Sequence, residues 1–372
     1  MKRKDLALVT GGAGFIGSHL VDALINQGYR VRVLDNLAPP THNGKLPDWF
    51  NKKAQFVKGD VRLKKDWLKA LRDVSYVFHL AAYMDYHPDF SAYIDTNTKS
   101  AALLYELIVE KKLPVKKVVV ASSQSVYGEG KYYCVKHGIF YPEARPEAQL
   151  KKHQWEVICP QDQKPAKILP EKETDQLNPQ IPYGISKQAL EKLILALGKI
   201  YQIPSVVLRF SIVQGGRQSF RHFYSGALRD FSVRALAGLP MAMQEDGRQN
   251  RDFVSVHDVI SAHLKVLHDS RADYEIFNVG RGKATRVREL AKKVCLAVGA
   301  PYRPHFSGVF RINAPRHSIM DISKLKKLGW RPEHSLEDNV REYMHFIKKH
   351  PEAIKFLLKT YRDMDKAKIL KM

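Results

Sequence analysis

Short apolar runs recur through the first 125 residues. Leu6–Val9, Val31–Leu34, Gln55–Val57, Tyr76–Leu80 and Val118–Ala121 each read as a strand. Most are separated by stretches in which apolar residues return every three to four positions. Phe15–Gln27 puts Ile16, Leu20, Ala23 and Leu24 on one stripe and predicts a helix, as does Asn97–Lys112. Runs without polar alternation mark strands buried on both faces. Strands alternating with helices imply a parallel sheet covered on each side. The pattern breaks between Gly128 and Pro182, which is proline-rich, charged and without sustained periodicity. It is too long for an ordinary connection and is expected to be an insertion, a lid or a flexible excursion. Helical and strand patterns resume in Tyr183–Tyr201, Ser205–Phe210, Phe220–Gly238, His257–His268 and Thr285–Val298. Pro351–Met372 reads as a charged, solvated helix.

Composition narrows the class. The chain has 372 residues, 44% of them apolar and 27% charged, which excludes a disordered polymer. Three cysteines (Cys134, Cys159, Cys295) cannot make a disulfide framework. Cys295 shares an apolar helical stripe with Leu290 and Val294 and is expected in the core. The apolar stretch after Met1–Asp5 is too short for a leader or a membrane span. A soluble, cytoplasmic protein with no integral membrane segment is therefore expected. Against 38 acidic residues stand 61 Lys plus Arg, a formal charge of +23. The basic residues are dispersed as pairs such as Lys111-Lys112 and Lys348-Lys349. That argues for solvated faces rather than a nucleic-acid footprint.

The chemistry begins where the first strand meets Thr10-Gly11-Gly12-Ala13-Gly14-Phe15-Ile16-Gly17. Gly12, Gly14 and Gly17 meet the dinucleotide pattern: one glycine for the turn, one for close approach of a pyrophosphate, one for packing helix on strand. The helix N-terminus then faces the anion. Asp35, eighteen residues after Gly17, suits an adenosine ribose and repels a 2′-phosphate, so NAD is expected. Tyr183 and Lys187 stand one helical turn apart. A nearby ammonium lowers a phenol's pKa from ~10 towards neutrality. Ser122 and Ser123 follow the fifth strand, at the sheet end where ligands sit.

Taken together, the chain resembles the extended short-chain dehydrogenase/reductase family of nucleotide-sugar epimerases and dehydratases. The likeness rests on the loop Thr10–Gly17, Asp35, Gly59-Asp60-Val61, His79-Leu80-Ala81-Ala82, Ser122-Ser123 before Val126-Tyr127-Gly128, and Tyr183 with Lys187. Further on it includes Arg209, Arg251–Val254 with His257-Asp258-Val259, and Phe277–Gly280. It implies an α/β fold: a Rossmann doubly wound parallel sheet with a smaller C-terminal α/β substrate-binding domain. The expected divisions are 1–127 (NAD-binding core), 128–181 (variable insertion), 182–210 (catalytic helix and sixth strand), 211–350 (mainly substrate-binding, with some elements returning to the core) and 351–372 (basic helix).

The same likeness implies that Ser123, Tyr183 and Lys187 are catalytic. Gly11, Gly12, Gly14, Phe15, Ile16, Gly17, Asp35 and Asn36 would hold NAD. So would Asp60 and Val61 at the adenine, Leu80, Ala81 and Ala82 along the phosphate and ribose side, and Asn97, Ser122, Tyr183 and Lys187. Ser123, Ser125, Arg251 and Arg316 would hold the substrate, the arginines at its diphosphate. The family's usual asparagine is replaced by Ile212, with Ser211 or Gln214 as candidate substitutes. Residues 83–90 and 210–225 are expected to select nucleotide and sugar.

Ser123-Gln124-Ser125 stands where family dehydratases resemble one another in carrying Thr-Asp-Glu, so the acid and base of an elimination are missing. What remains suits reversible oxidation of a secondary alcohol. The expected activity is NAD-dependent epimerisation at C4 of an NDP-hexose or NDP-deoxyhexose, supplying cell-surface polysaccharide synthesis. A 4-keto-sugar reductase or dehydratase is the alternative, and a non-catalytic NAD sensor or scaffold the rival of another class. Dimerisation through helices starting near Thr98 and Tyr183 follows from the resemblance. Within the insertion, Cys134-x-x-His137 and Cys159-x-x-Asp162 resemble the halves of a zinc knuckle. Because aspartate replaces a final cysteine, no metal is expected there and the segment is expected to be a metal-free loop.

Overall fold

The five apolar runs of the N-terminal part become β1 (Leu6–Thr10), β2 (Arg30–Asp35), β3 (Gln55–Lys58), β4 (Tyr76–His79) and β5 (Lys117–Ser123). The molecule, a computed structural model, is described here for residues 5–42, 44–85, 88–222, 226–366 and 369–371. Three short strands follow in the insertion: β6 (Lys131–Cys134), β7 (Gly138–Phe140) and β8 (Lys167–Leu169). The C-terminal half adds β9 (Ser205–Phe210), β10 (Ile212–Gln214), β11 (Met241–Met243), β12 (Asn250–Ser255), β13 (Ile276–Val279), β14 (Ala284–Arg286) and β15 (Pro304–Phe306). One seven-stranded sheet runs in the order β3-β2-β1-β4-β5-β9-β13, with every neighbouring pair parallel. This is the doubly wound α/β arrangement expected from the alternation, with the smaller unit beyond it.

Successive side chains on each strand face opposite ways. Ala7, Val9, Val33, Phe78, Val119 and Leu208 enter a core shared with Leu20 and Leu24 of α1 (Phe15–Asn26). The intervening Leu6, Leu8, Leu34, Val77, Val118 and Val207 enter a second core. Its cover is α2 (Lys64–Ala70), α4 (Ser100–Glu110) and α6 (Pro182–Ile200); α3 (Phe90–Tyr93) and the π-helical turn Ile94–Lys99 lead into α4, and α5 (Glu147–Lys151) precedes α6. A third core joins α7 (Gly226–Leu236), which follows α6, to later helices of the C-terminal half. Of these, α8 (Val256–His268) instead covers the first core, while α9 (Val287–Val298) brings Leu290, Val294 and Cys295 into the third. Beyond α10 (Ser323–Lys327), α11 (Leu336–Ile347) and α12 (Ala353–Lys366) complete it with Val340, Tyr343 and Leu357.

Several local expectations change. Thr285 lies in β14, and the helix expected from that point starts at Val287. Of the helix expected over Phe220–Gly238, Gly226–Leu236 is helical, while residues 223–225 lie outside the described set. The insertion is ordered around an antiparallel sheet, β7-β6-β8. Strands of three or four residues are too short to leave a period in the sequence. The tail helix is not solvated all round: Ala353, Leu357 and Met364 are buried, and the Tyr361 hydroxyl donates to Asp230 at 2.9 Å. Residues 367, 368 and 372 of that tail, like residues 1–4, lie outside the description. Among the described residues no helix is long and apolar enough to cross a membrane.

Candidate active site at the C-terminal edge of the sheet

The loop between β1 and α1 is shaped by close approach. A Cβ on Gly17 would lie 2.2 Å from the Gly11 carbonyl oxygen, and one on Gly12 2.8 Å from both Val33 methyl groups. Gly11 has φ +67°, and a Cβ there would meet Ala81 N at 2.9 Å. Gly14 differs: its nearest neighbour would be Gly11 O at 3.2 Å, with nothing else within 4 Å. That open side is what a diphosphate needs. The first helical bond runs from Ser18 N–H to Gly14 O at 3.0 Å, so the Phe15 and Ile16 amides precede the ladder. Asp35 accepts from Ala13 N at 3.1 Å through one oxygen and from Leu37 N at 2.9 Å through the other. Each oxygen keeps a lone pair for a ribose hydroxyl. Asn36 donates to Asp60 at 3.3 Å, which ties together the two segments assigned to the ribose and the adenine. These residues fit a dinucleotide.

Thr10 carries the loop's link to β4. Its hydroxyl oxygen accepts from Leu80 N (3.2 Å) and Ala81 N (3.1 Å) and lies 2.8 Å from His79 Nδ1. With two donors already on its oxygen, the hydroxyl donates to Nδ1. His79 Nε2 then donates to Ser100 Oγ at 2.9 Å. Burial holds the His79 imidazole down at about 3, so it is neutral. Asn97 is buried in the π-helical turn, accepts from Tyr83 N (2.8 Å) and donates to Tyr83 O (3.0 Å) and Ser186 Oγ (2.9 Å). Its amide therefore positions the neighbouring loop and α6. Val61, Ala82 and the Leu80–Ala81 backbone lie at the same edge of the sheet.

The Tyr183–Lys187 pair opens α6, whose first residue is Pro182. Lys187 is buried and donates from Nζ to the Ala121 carbonyl at 2.8 Å. Its ammonium lies 5.8 Å from the Tyr183 ring centroid. Burial lowers the ammonium pKa from 10.5 to about 8. Ser123 caps the short 3₁₀ turn Gln124–Tyr127, accepting from Ser125 N at 3.2 Å and donating to Ser125 Oγ at 3.2 Å. The start of α6 presses on that turn, since a Cβ on Gly184 would lie 2.5 Å from Ser125 O. The end of β5, this turn and the start of α6 thus bring Ser123, Ser125, Tyr183 and Lys187 together.

Two expected residues point elsewhere. The Ser122 hydroxyl donates to Glu191 Oε1 at 2.5 Å, within a buried network where Arg209 grips both Glu191 oxygens at 2.9 and 2.6 Å. The Ser122 hydroxyl proton is thus committed to Glu191. Arg316 is fully buried, and its guanidinium meets Glu156 (2.6 Å), Glu245 (2.8 Å) and Asp246 (2.7 Å). All its donors lie on carboxylates, which departs from the expectation that it holds a diphosphate. Arg251 behaves differently. Among the described residues it donates only to the carbonyls of Asn250, Pro315 and Arg316, and burial lowers it to about 10. Its Nε and one Nη hydrogen remain for an anion. Ile212 begins β10, and the neighbouring Ser211 reaches Asp252 at 3.5 Å.

Glu129, Arg145, Glu156 and Glu245 were not legible as a group, because they meet only through the insertion's fold. Glu129 accepts from Arg316 N at 2.5 Å, and burial, partly offset by Arg145, pushes it up to about 7. A surface depression of about 400 Å³ lined by Gln27, Lys265, His268 and Trp330 lies at the far end of α1 from the glycine loop. It is remote from this chemistry.

Comparison with known proteins agrees with the geometry. The sequence profile of the NAD dependent epimerase/dehydratase family matches residues 7–280. The chain is 33% identical over 349 residues to dTDP-L-rhamnose 4-epimerase of Burkholderia thailandensis, covering 91% of this chain and 94% of that one. The structure is similar to UDP-glucose 4-epimerase of Thermotoga maritima with UDP-glucose, at TM-score 0.74 and 30% identity over 92% of this chain and 99% of that one. It is also similar to UDP-glucuronic acid 4-epimerase of Bacillus cereus in complex with UDP-glucuronic acid and NAD, at TM-score 0.74, 27% identity and the same coverage.

Proposed function

This chain belongs to the NAD-dependent epimerase/dehydratase family, and on that premise we propose that it inverts C4 of a nucleotide-diphosphate hexose or deoxyhexose. The observation that carries the reading is the buried Lys187 ammonium beside Tyr183, next to a Ser123–Ser125 turn without carboxylates. NAD supplies a hydride acceptor and donor at the sugar carbon. Tyr183, as phenolate, accepts the C4 hydroxyl proton and later returns it. Ser123 hydrogen-bonds the same oxygen, so charge developing there is met by a fixed donor. Lys187 keeps the phenolate accessible near neutral pH through its charge. A 4-keto sugar that turns over between the two half-reactions accounts for inversion, and the cofactor is regenerated.

Gln124 and Ser125 occupy the positions where an elimination would need an acid and a base. Gln124 instead accepts from Ser318 Oγ at 3.0 Å, which supports epimerisation over dehydration. Of Arg251 and Arg316, Arg251 has donors left for the substrate diphosphate. The same reading places the enzyme in the cytoplasm, feeding polysaccharide synthesis. It also makes it a homodimer through α4 and α6, where Ile185 (49%) and Ile200 (68%) are exposed apolar side chains. Light scattering of the purified protein measures the dimer directly.

The test is a panel of UDP- and dTDP-sugars incubated with purified enzyme without added NADH. C4 inversion read by NMR is the expected result. In a parallel incubation supplied with NADH and a 4-keto sugar, stoichiometric NADH consumption would instead identify a ketoreductase, and a 4-keto-6-deoxy product in the first incubation a dehydratase.

A further inference from the structure

We propose that Cys134, His137, Cys159 and Asp162 bind one zinc ion that clips the insertion together. This reverses the metal-free expectation drawn from the aspartate and does not depend on the reading of the catalytic site. Cys134 ends β6 and His137 precedes β7, so one half-site is a hairpin turn. The other is the turn between Ile158 and Pro165, which are bridged. The two turns are alike. Each has the form ligand-x-x-ligand followed by a residue of positive φ, Gly138 at +79° and Gln163 at +57°. In the second turn Gln163 N donates to Cys159 O at 2.9 Å, and Lys164 O accepts from Cys159 N at 2.8 Å. Both turns are thus closed by backbone geometry before any ion is considered.

The donor atoms face one another. His137 Nδ1 lies 3.5 Å from Cys134 Sγ and 3.5 Å from Cys159 Sγ. Asp162 Oδ2 is 3.6 Å from Cys134 Sγ and 3.9 Å from His137 Nδ1. All four ligand atoms lie within 4.8 Å of one another. A tetrahedron with Zn–S bonds of ~2.3 Å and Zn–N or Zn–O bonds of ~2.0 Å has edges of about 3.3–3.8 Å. Both thiols lie 3.5 Å from one imidazole nitrogen, which can accept from only one of them, and Cys134 Sγ also lies 3.6 Å from Asp162 Oδ2, so all four donor atoms close on a single point. Both cysteines are buried and neither is in a disulfide.

Two thiolates, an imidazole and a carboxylate are a set that zinc accepts, and four protein ligands leave no position for substrate, so the site is structural. Its lever is the loop from residue 137 to residue 159. That loop carries Arg145 and leads to Glu156, which contacts Arg316 at 2.6 Å. The clip therefore holds the insertion against the substrate side of the molecule.

Full-length protein purified from zinc-supplemented cells is expected to hold about one zinc per chain by elemental analysis. Replacement by Co²⁺ is expected to give the intense visible bands of a tetrahedral thiolate site. Asp162→Cys should retain the metal, whereas Cys159→Ser should lose it. Wild-type protein with zinc well below one per chain and no cobalt bands would overturn the proposal, whether its two thiols then react freely or are found as a disulfide by mass spectrometry. The wild-type zinc content and cobalt spectrum decide the matter even if Cys159→Ser fails to fold.

Discussion

The Lys187 ammonium lies 5.8 Å from the Tyr183 ring centroid, held there by a 2.8 Å hydrogen bond to the Ala121 carbonyl. Its nearest partner is therefore a backbone carbonyl at the end of β5, and burial lowers its pKa to about 8. A buried cation in that setting is retained for its field and costs stability. Lys187→Met should lower kcat by about 10²–10⁴-fold, the range for loss of acid–base support. The same change should raise Tm by a few degrees. Relief of the lowered ammonium, about 3 kcal/mol, exceeds the roughly 1 kcal/mol lost when Ala121 O loses its donor. Thermal melts beside steady-state kinetics check both, and a fall in Tm would mean that the ammonium is a structural element.

Tyr183→Phe removes the phenol while keeping the ring against Lys187. Turnover should be lost, and NAD affinity measured by calorimetry should change less than about threefold, well under 1 kcal/mol. Surviving turnover would remove the phenol from its role as base.

Arg251 and Arg316 should separate cleanly. Arg251→Met should raise KM for the nucleotide sugar by about 10–100-fold, the worth of one or two charged hydrogen bonds, with Tm little changed. Arg316→Met takes the shared arginine away from Glu156 and Asp246, leaving Glu245 only Arg145, and should cost about 3–5 kcal/mol of stability. Denaturant melts and substrate titrations of the two variants read the contrast. A KM effect confined to Arg316 would reverse the assignment.

Glu129 carries a pH signature. Burial raises its pKa from 4.5 to about 7, and its Oε2 has no hydrogen-bond partner among the described residues. A raised carboxyl keeps its proton in the folded chain where the unfolded chain has lost it. Its ionisation therefore weakens the fold as pH rises from about 4.5 to 7, and the full penalty persists above that. Glu129→Gln should melt above wild type at pH 8, by about 1–3 kcal/mol, and alongside it at pH 5. Melting curves at the two pH values check the crossover.

Much of this molecule was readable before its fold was known. β1 to β5 were visible because parallel strands buried on both faces leave continuous apolar runs. Gly12, Gly14 and Gly17, and Tyr183 with Lys187, were visible because their geometry is local: one turn of chain, or one turn of helix. By contrast, α11 went unread although Val340 and Tyr343 are core residues. The strands β6, β7 and β8 went unread because three or four residues carry no period.

By itself the sequence determined the parallel sheet, the glycine loop and the Tyr183–Lys187 spacing, all of which follow from local periodicity and local sterics. Only the tertiary structure decided what the arginines do. Arg316 meets Glu156 from 160 positions away and Glu245 from 71, so no local pattern could reveal that its donors are taken. It also decided that Cys134, His137, Cys159 and Asp162 converge, with two distant turns folded face to face. Spacing along a chain specifies which atoms can be ligands, but which ones meet depends on how the intervening loop closes, and that is set by packing rather than by sequence separation.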